Sequence, residues 1–151
     1  MKTADQWLSE YGRSHQNPLN KAIHWVCIPL IVISLLGLLM AIPMPWDAAW
    51  FNPASVLLAF SVGYYALVSK RLALGMLVVG GAMYACAASL AMLPVPLWVS
   101  SLAVFVGAWV AQFIGHEIEG RKPSFLKDLQ FLLIGPLWLL GFIYRRLGIA
   151  Y

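Results

Sequence analysis

Charge is scarce in this chain. Of its 151 residues, 62% are hydrophobic and only 11% charged, against roughly 25% charged in soluble domains. A soluble core cannot absorb that excess, whereas apolar runs of bilayer length can. Cysteine is scarce too: Cys27 and Cys86 form no Cys-x-x-Cys. Cys27 falls near the start of one apolar run, and Cys86 lies roughly 21 Å along another at helical rise. A disulfide, which needs Cα atoms within about 7 Å, is not expected, and both read as small buried hydrophobes. No basic run exceeds two residues despite the net charge of +4, which argues against nucleic acid as a partner. Walker, Gly-x-Ser-x-Gly and phosphate-cradling motifs are missing as well.

What is there organises as one all-α integral membrane domain. Apolar runs at about residues 23–42, 50–69, 72–93 and 97–115 are long enough to span a bilayer. Residues 1–22 are polar and do not resemble a signal peptide, so the first span is expected to stay in the mature protein. Asn17-Pro18 is a helix start, with Asn as cap and Pro at the first helical position. Two connections, Ala41-Ile42-Pro43-Met44-Pro45-Trp46 and Met92-Leu93-Pro94-Val95-Pro96-Leu97-Trp98, each carry Pro-x-Pro and a tryptophan. That pattern suits tight turns in an aromatic belt and is open to a hairpin repeat or to coincidence. All ten Lys and Arg fall on the opposite side of a four-span arrangement, so the positive-inside rule places both termini in the cytoplasm. A further apolar stretch, Leu129 to Tyr144, is short and interrupted by Gly135-Pro136. A crossing would carry Arg145 and Arg146 outside; a re-entrant or interfacial hairpin over about 125–147 keeps every charge inside.

The three histidines, His15, His24 and His116, all fall near the cytoplasmic boundary. An isolated interfacial histidine is usually an ordinary polar residue; three converging on one depth suggest a site. His15 and His24 would face opposite ways on one continuous helix, but the Asn17-Pro18 break lets the earlier segment fold back. Asn20, one turn before His24, is placed to orient its imidazole. Gln112, His116 and Glu119 share one helical face, with Trp109 a turn earlier, and a polar stripe at the end of an apolar helix is costly unless paired or functional. His-x-x-Glu is the spacing at which two ligands reach one metal, although alone it is a weak signal. Three neutral imidazoles, or two with a carboxylate, suit Fe(II), Zn(II) or Cu.

The segment Tyr11-Gly12-Arg13-Ser14-His15-Gln16-Asn17-Pro18-Leu19-Asn20-Lys21-Ala22-Ile23-His24, with Pro29 after it, resembles the N-terminal signature of a known family. Trp109 and Gln112-Phe113-Ile114-Gly115-His116, with Glu119 and Pro123, resemble its second signature. The family is that of the membrane 2-hydroxy fatty acid dioxygenases of fatty-acid alpha-oxidation, fungal endoplasmic-reticulum proteins with bacterial relatives. The resemblance covers nearly the whole chain. It implies an Fe(II) enzyme that uses O2 to shorten a long-chain 2-hydroxy fatty acid by one carbon, with His15, His24 and His116 as catalytic or metal-binding residues. Cys27, where a glycine is expected, and Ser124 and Phe125, where small and aliphatic residues are expected, depart from the pattern and bear on substrate shape.

The resulting expectation is four transmembrane helices plus the C-terminal hairpin, with a cytoplasmic-face iron site. His15, His24 and His116 are its ligands, Glu119 is a further catalytic residue that either ligates or orients, and Asn20, Gln112, Tyr11 and Arg13 support it or the substrate. The acyl tail would lie among membrane lipid while the head reaches the interface. Arg13, Lys21, Arg121 and Lys122 are candidates to steer the carboxylate, beside their more ordinary role as topology signals. The membrane would be the bacterial inner membrane or, in a eukaryote, the endoplasmic reticulum. The rivals are a haem-binding electron-transfer subunit with His24 and His116 as axial ligands, and a small transporter or scaffold without chemistry. Oligomeric state is not readable.

Overall fold

The computed structural model describes residues 2–45, 50–126 and 129–151. Within them the chain is helical: α1 (Ala4–Gly12), α2 (Pro18–Met40), α3 (Pro53–Val68), α4 (Lys70–Leu90), α5 (Leu97–Glu119), a 3-10 turn (Ser124–Leu126) and α6 (Phe131–Arg146). Trp46 of the first Pro-x-Pro connection and Lys127, which flanks the last apolar stretch, lie outside the described residues.

Local signals set the boundaries. Thr3 and Gln6 form a reciprocal capping box at the start of α1, Thr3 N–H to Gln6 Oε1 at 2.9 Å and Gln6 N–H to Thr3 Oγ1 at 3.3 Å. Asn17 caps α2 through its side chain, with Pro18 at the first position. Ser69, extended at φ −161° and ψ 124°, ends α3 and caps α4, so one residue joins two helices. Gly120, at φ 68°, takes the left-handed conformation that stops α5.

Three helices, α2, α4 and α5, are long and apolar enough to cross a membrane. The fourth expected span, 50–69, shrinks to the 16 residues of α3, because the Asn52 cap delays its start and Ser69 turns the chain at its end. Its length of about 24 Å is short of a hydrocarbon layer of roughly 30 Å. The hairpin expected at the C-terminus is replaced by the continuous helix α6, with Pro136 inside it. Proline there removes only one backbone hydrogen bond, and α6 is enclosed: Phe131, Ile134, Leu137, Trp138, Leu139 and Leu140 are all buried. Gly135 serves packing, since a Cβ there would sit 3.2 Å from the Tyr11 hydroxyl. Both cysteines are free, as expected, but only Cys27 is buried; Cys86 is exposed.

The pairing is nested. α2 lies chiefly against α5, and α3 against α4, which is not the arrangement of two repeated consecutive hairpins. α2 and α5 run antiparallel, with Gly37 against Ser101 at one end and Gly115 against Asn20 at the other. At both positions a Cβ would collide with the partner side chain, so glycine allows the close approach that membrane helices use. α1 is amphipathic, burying Ala4, Trp7, Leu8 and Tyr11, and it packs on α6 through Trp7 against Phe131 (ring centroids 5.4 Å) and Tyr11 against Trp138 (5.5 Å). Each such large apolar side chain contributes on the order of 2 kcal/mol on burial. Together α1 and α6 cover the end of the α2–α5 pair at which α2 begins and α5 ends.

Candidate metal centre

Three segments bring the histidines together. His15 sits in the short connection after α1, His24 seven positions into α2, and His116 in the last turn of α5. His15 and His24 are wholly buried and His116 nearly so. Ring centroids are 4.3 Å apart for His15–His24, 5.0 Å for His15–His116 and 4.9 Å for His24–His116.

Two of the rings are held from behind. The His15 Nδ1–H donates to the Tyr11 carbonyl at 2.7 Å, and the ring stacks on that of Tyr11 at 4.2 Å and 12°. The His24 Nδ1–H donates to the Asn20 carbonyl one turn earlier, at 2.9 Å. These bonds fix the tautomer and leave Nε2 of both rings with a free lone pair. Nε2 of His15, Nε2 of His24 and Nδ1 of His116 are buried with no hydrogen-bond partner. Three orphaned nitrogens, one per histidine, would each cost free energy if nothing met them. One ring nitrogen from each histidine lies within 4.8 Å of the other two. Two nitrogens sharing an ion at about 2.1 Å are at most about 4.2 Å apart, so a small inward movement of the rings completes the set. The donor chemistry therefore fits a first-row divalent ion.

Burial, and then the neighbouring His24, lower the pKa of His15 to about 3. His15 is thus neutral near pH 7, the form a ligand needs. Burial likewise raises the Tyr11 hydroxyl well above the ordinary tyrosine range, so Tyr11 stays protonated.

Glu119 stands apart from the orphaned nitrogens. Its Oε1 accepts from the Gln16 N–H at 2.7 Å, and its Oε2 from the Asn17 N–H at 2.8 Å and from Asn20 Nδ2 at 3.1 Å. The carboxylate thereby ties the end of α5 to the connection carrying His15 and to the first turn of α2. Asn20 meets the His24 imidazole through its backbone carbonyl, while its side chain serves Glu119. Gln112, buried, lines a narrow cleft of about 50 Å³ beside His15 and His116, together with Tyr11. Arg13 is exposed and lies outside that cleft. Apart from Ser124, the remaining walls are apolar, among them Ile28, Ile31 and Val32 from α2, Trp109 from α5, and Leu132 and Pro136 from α6. Room of this size takes a few water-sized molecules, well below the few hundred Å³ of a pocket that encloses a drug-sized ligand.

Sequence reasoning missed the contribution of α6. Phe131 and Gly135 line the cleft, and Trp138 packs on His15 at 5.5 Å. It missed the Ser14 Oγ–Ser124 Oγ hydrogen bond of 2.6 Å as well, which joins the His15 connection to the turn after α5. Nothing in the spacing of those residues signals either contact.

The family model described as "Mpo1-like: 2-hydroxy-palmitic acid dioxygenase Mpo1-like" matches residues 1–147. No curated protein and no solved structure matches the chain.

Proposed function

Given that the chain belongs to the Mpo1-like family, we propose that it is an Fe(II)-dependent membrane dioxygenase that uses O2 to shorten long-chain 2-hydroxy fatty acids by one carbon. The observation that carries this reading is the set of orphaned ring nitrogens on His15, His24 and His116. His15, His24 and His116 would hold the ion, and Fe(II) would supply the redox chemistry with O2 that zinc lacks.

The chain's own residues do the rest. The Tyr11 and Asn20 carbonyls hold the first two imidazoles in one tautomer. Glu119 acts as a positioning residue that keeps the His15 connection against α5. Gln112 presents an amide to the polar head of a bound acid, and Ile31, Val32 and Trp109 exclude bulk water. The cleft is too small to enclose a long acyl chain, so the tail lies against the outside of the bundle, among membrane lipid. On this reading α3, though short, returns the chain between α2 and α4, and the one-sided distribution of Lys and Arg then favours a cytoplasmic position for both termini and the site.

A haem bound between His24 and His116 is disfavoured. His15 packs against both rings, in the space through which the macrocycle would pass. The assay is oxygen consumption together with conversion of a long-chain 2-hydroxy acid to the acid one carbon shorter. Full turnover in an anaerobic, chelated sample would exclude the reading.

A further inference from the structure

A second cleft adjoins the metal cleft on its polar side. Arg13, Arg121 and Lys122 line it with Glu10, and Ser124 and Phe131 belong to both clefts. The wall between them contains the Ser14–Ser124 hydrogen bond of 2.6 Å, and Ser14 Oγ is itself 3.3 Å from His15 Nδ1. The charge in this second cleft is unbalanced. Glu10 is engaged by Lys2 at 2.6 Å, whereas the side chains of Arg13, Arg121 and Lys122 make no ion pair or hydrogen bond among the described residues.

We propose that Arg13, Arg121 and Lys122 bind the substrate carboxylate, as specificity-determining residues of the site described above, on whose assignment this inference rests. The arrangement is that of an amphiphile with its reacting carbon beside its head. The cations line the second cleft, whereas His15 and His116 share the first with the apolar walls of Ile31, Val32, Trp109 and Leu132, and Ser124 and Phe131 are common to both. An acid laid along this track has its carboxylate among the cations, its chain toward the apolar end, and the carbon next to the carboxylate nearest the histidines. A role in topology requires only that the three cations lie on one side of the membrane. It does not require residues 108 positions apart to converge on one cleft beside the metal cleft. Lys21 and Arg145 line a different groove that shares Arg13 and His15 but neither Ser124 nor Phe131, and Arg145 is engaged by the Tyr151 hydroxyl at 2.7 Å.

The test is calorimetric binding to the full-length, metal-loaded protein in a neutral detergent. The probes are 2-hydroxyhexadecanoic acid, the uncharged hexadecane-1,2-diol and phosphatidylglycerol. The wild type is expected to bind the acid at least about tenfold tighter than the diol, the size of one charge-assisted hydrogen bond. Combined Arg13→Gln, Arg121→Gln and Lys122→Gln should remove that preference while leaving diol binding and metal content unchanged. Combined Arg13→Lys and Arg121→Lys should retain it, as should Lys70→Gln with Arg146→Gln. A triple variant that still prefers the acid overturns the inference. So does phosphatidylglycerol that displaces the acid as well as a second acid molecule does, because the cations would then serve lipid headgroups. A wild-type protein that binds neither acid nor diol refutes the substrate class itself, and that result is distinct from either of these.

Discussion

Asn20 and Glu119, 99 residues apart, are joined by a hydrogen bond of 3.1 Å from the Asn20 amide to the Glu119 carboxylate. Through it, the end of α5 is fastened to the same residue whose backbone carbonyl orients His24. Glu119 also receives the N–H groups of Gln16 and Asn17, directly after His15. Glu119→Ala removes all three hydrogen bonds at once. Metal affinity should fall about 10–100-fold, as for losses of groups that support ligands elsewhere, and amide exchange should quicken across 14–20. If Glu119 were itself a ligand, exchange there would barely change while metal content collapsed. Hydrogen exchange and a metal titration on the same sample separate the two roles.

Acid should destabilise the metal-free protein through His15. Its folded-state pKa is lowered to about 3, against about 6.5 unfolded, so between those values the unfolded chain binds more protons. The stability contributed by neutral His15 is therefore complete above about pH 6.5. It falls as pH drops toward 3, with a slope of up to about 1.4 kcal/mol per pH unit for one proton. Thermal unfolding of chelated protein in detergent from pH 8 to 4 should show a falling midpoint below about 6.5. His15→Gln should make that fall shallower, and an equally steep fall in the variant would mean that another group is responsible.

The histidine site was legible in the sequence because its logic is local. Asn17-Pro18 announces a chain reversal, and three histidines at one membrane depth have few other places to point. The span count was less legible, since hydropathy ran through Asn52 and Ser69 and missed that their side chains and backbone end the helix. Gly135-Pro136 was misleading: the same dipeptide that breaks an exposed helix is tolerated in α6, where the glycine makes room for Tyr11. Glu119 shares a helical face with His116, as its spacing requires, yet its partners come from a segment about 100 residues away. Pattern within one helix cannot reveal such partners.

The α2–α5 seam should be sensitive to one methyl group. At Gly115 an added Cβ would run into Asn20 Oδ1, and Asn20 is not free to swing away because it holds Glu119. Gly115→Ala should lower stability by about 1–3 kcal/mol, the usual cost of overpacking, and weaken metal binding with it. Gly107 lies on the same helix with nothing within 4 Å of its would-be Cβ. Gly107→Ala should therefore be neutral or stabilising by about 0.5–1 kcal/mol, since alanine favours helix interiors. Equal effects of the two substitutions in thermal unfolding would refute the close seam.

Removing any one of the three imidazoles should abolish the site without abolishing the fold. His15→Ala, His24→Ala and His116→Ala each take one donor from a set in which the other two nitrogens remain buried and orphaned. Two imidazoles hold a divalent ion far more weakly than three, and lost geometry compounds lost affinity. Protein purified without a histidine tag should carry about one metal ion per chain as wild type and close to none in each variant, with helical content unchanged by circular dichroism. Loading the wild type with Zn(II) should restore its thermal stability but no oxygen consumption, whereas Fe(II) should restore both, because zinc fills the same nitrogen set without redox chemistry. Turnover with zinc, or undiminished turnover in His116→Ala, would show that the reaction does not run through these histidines.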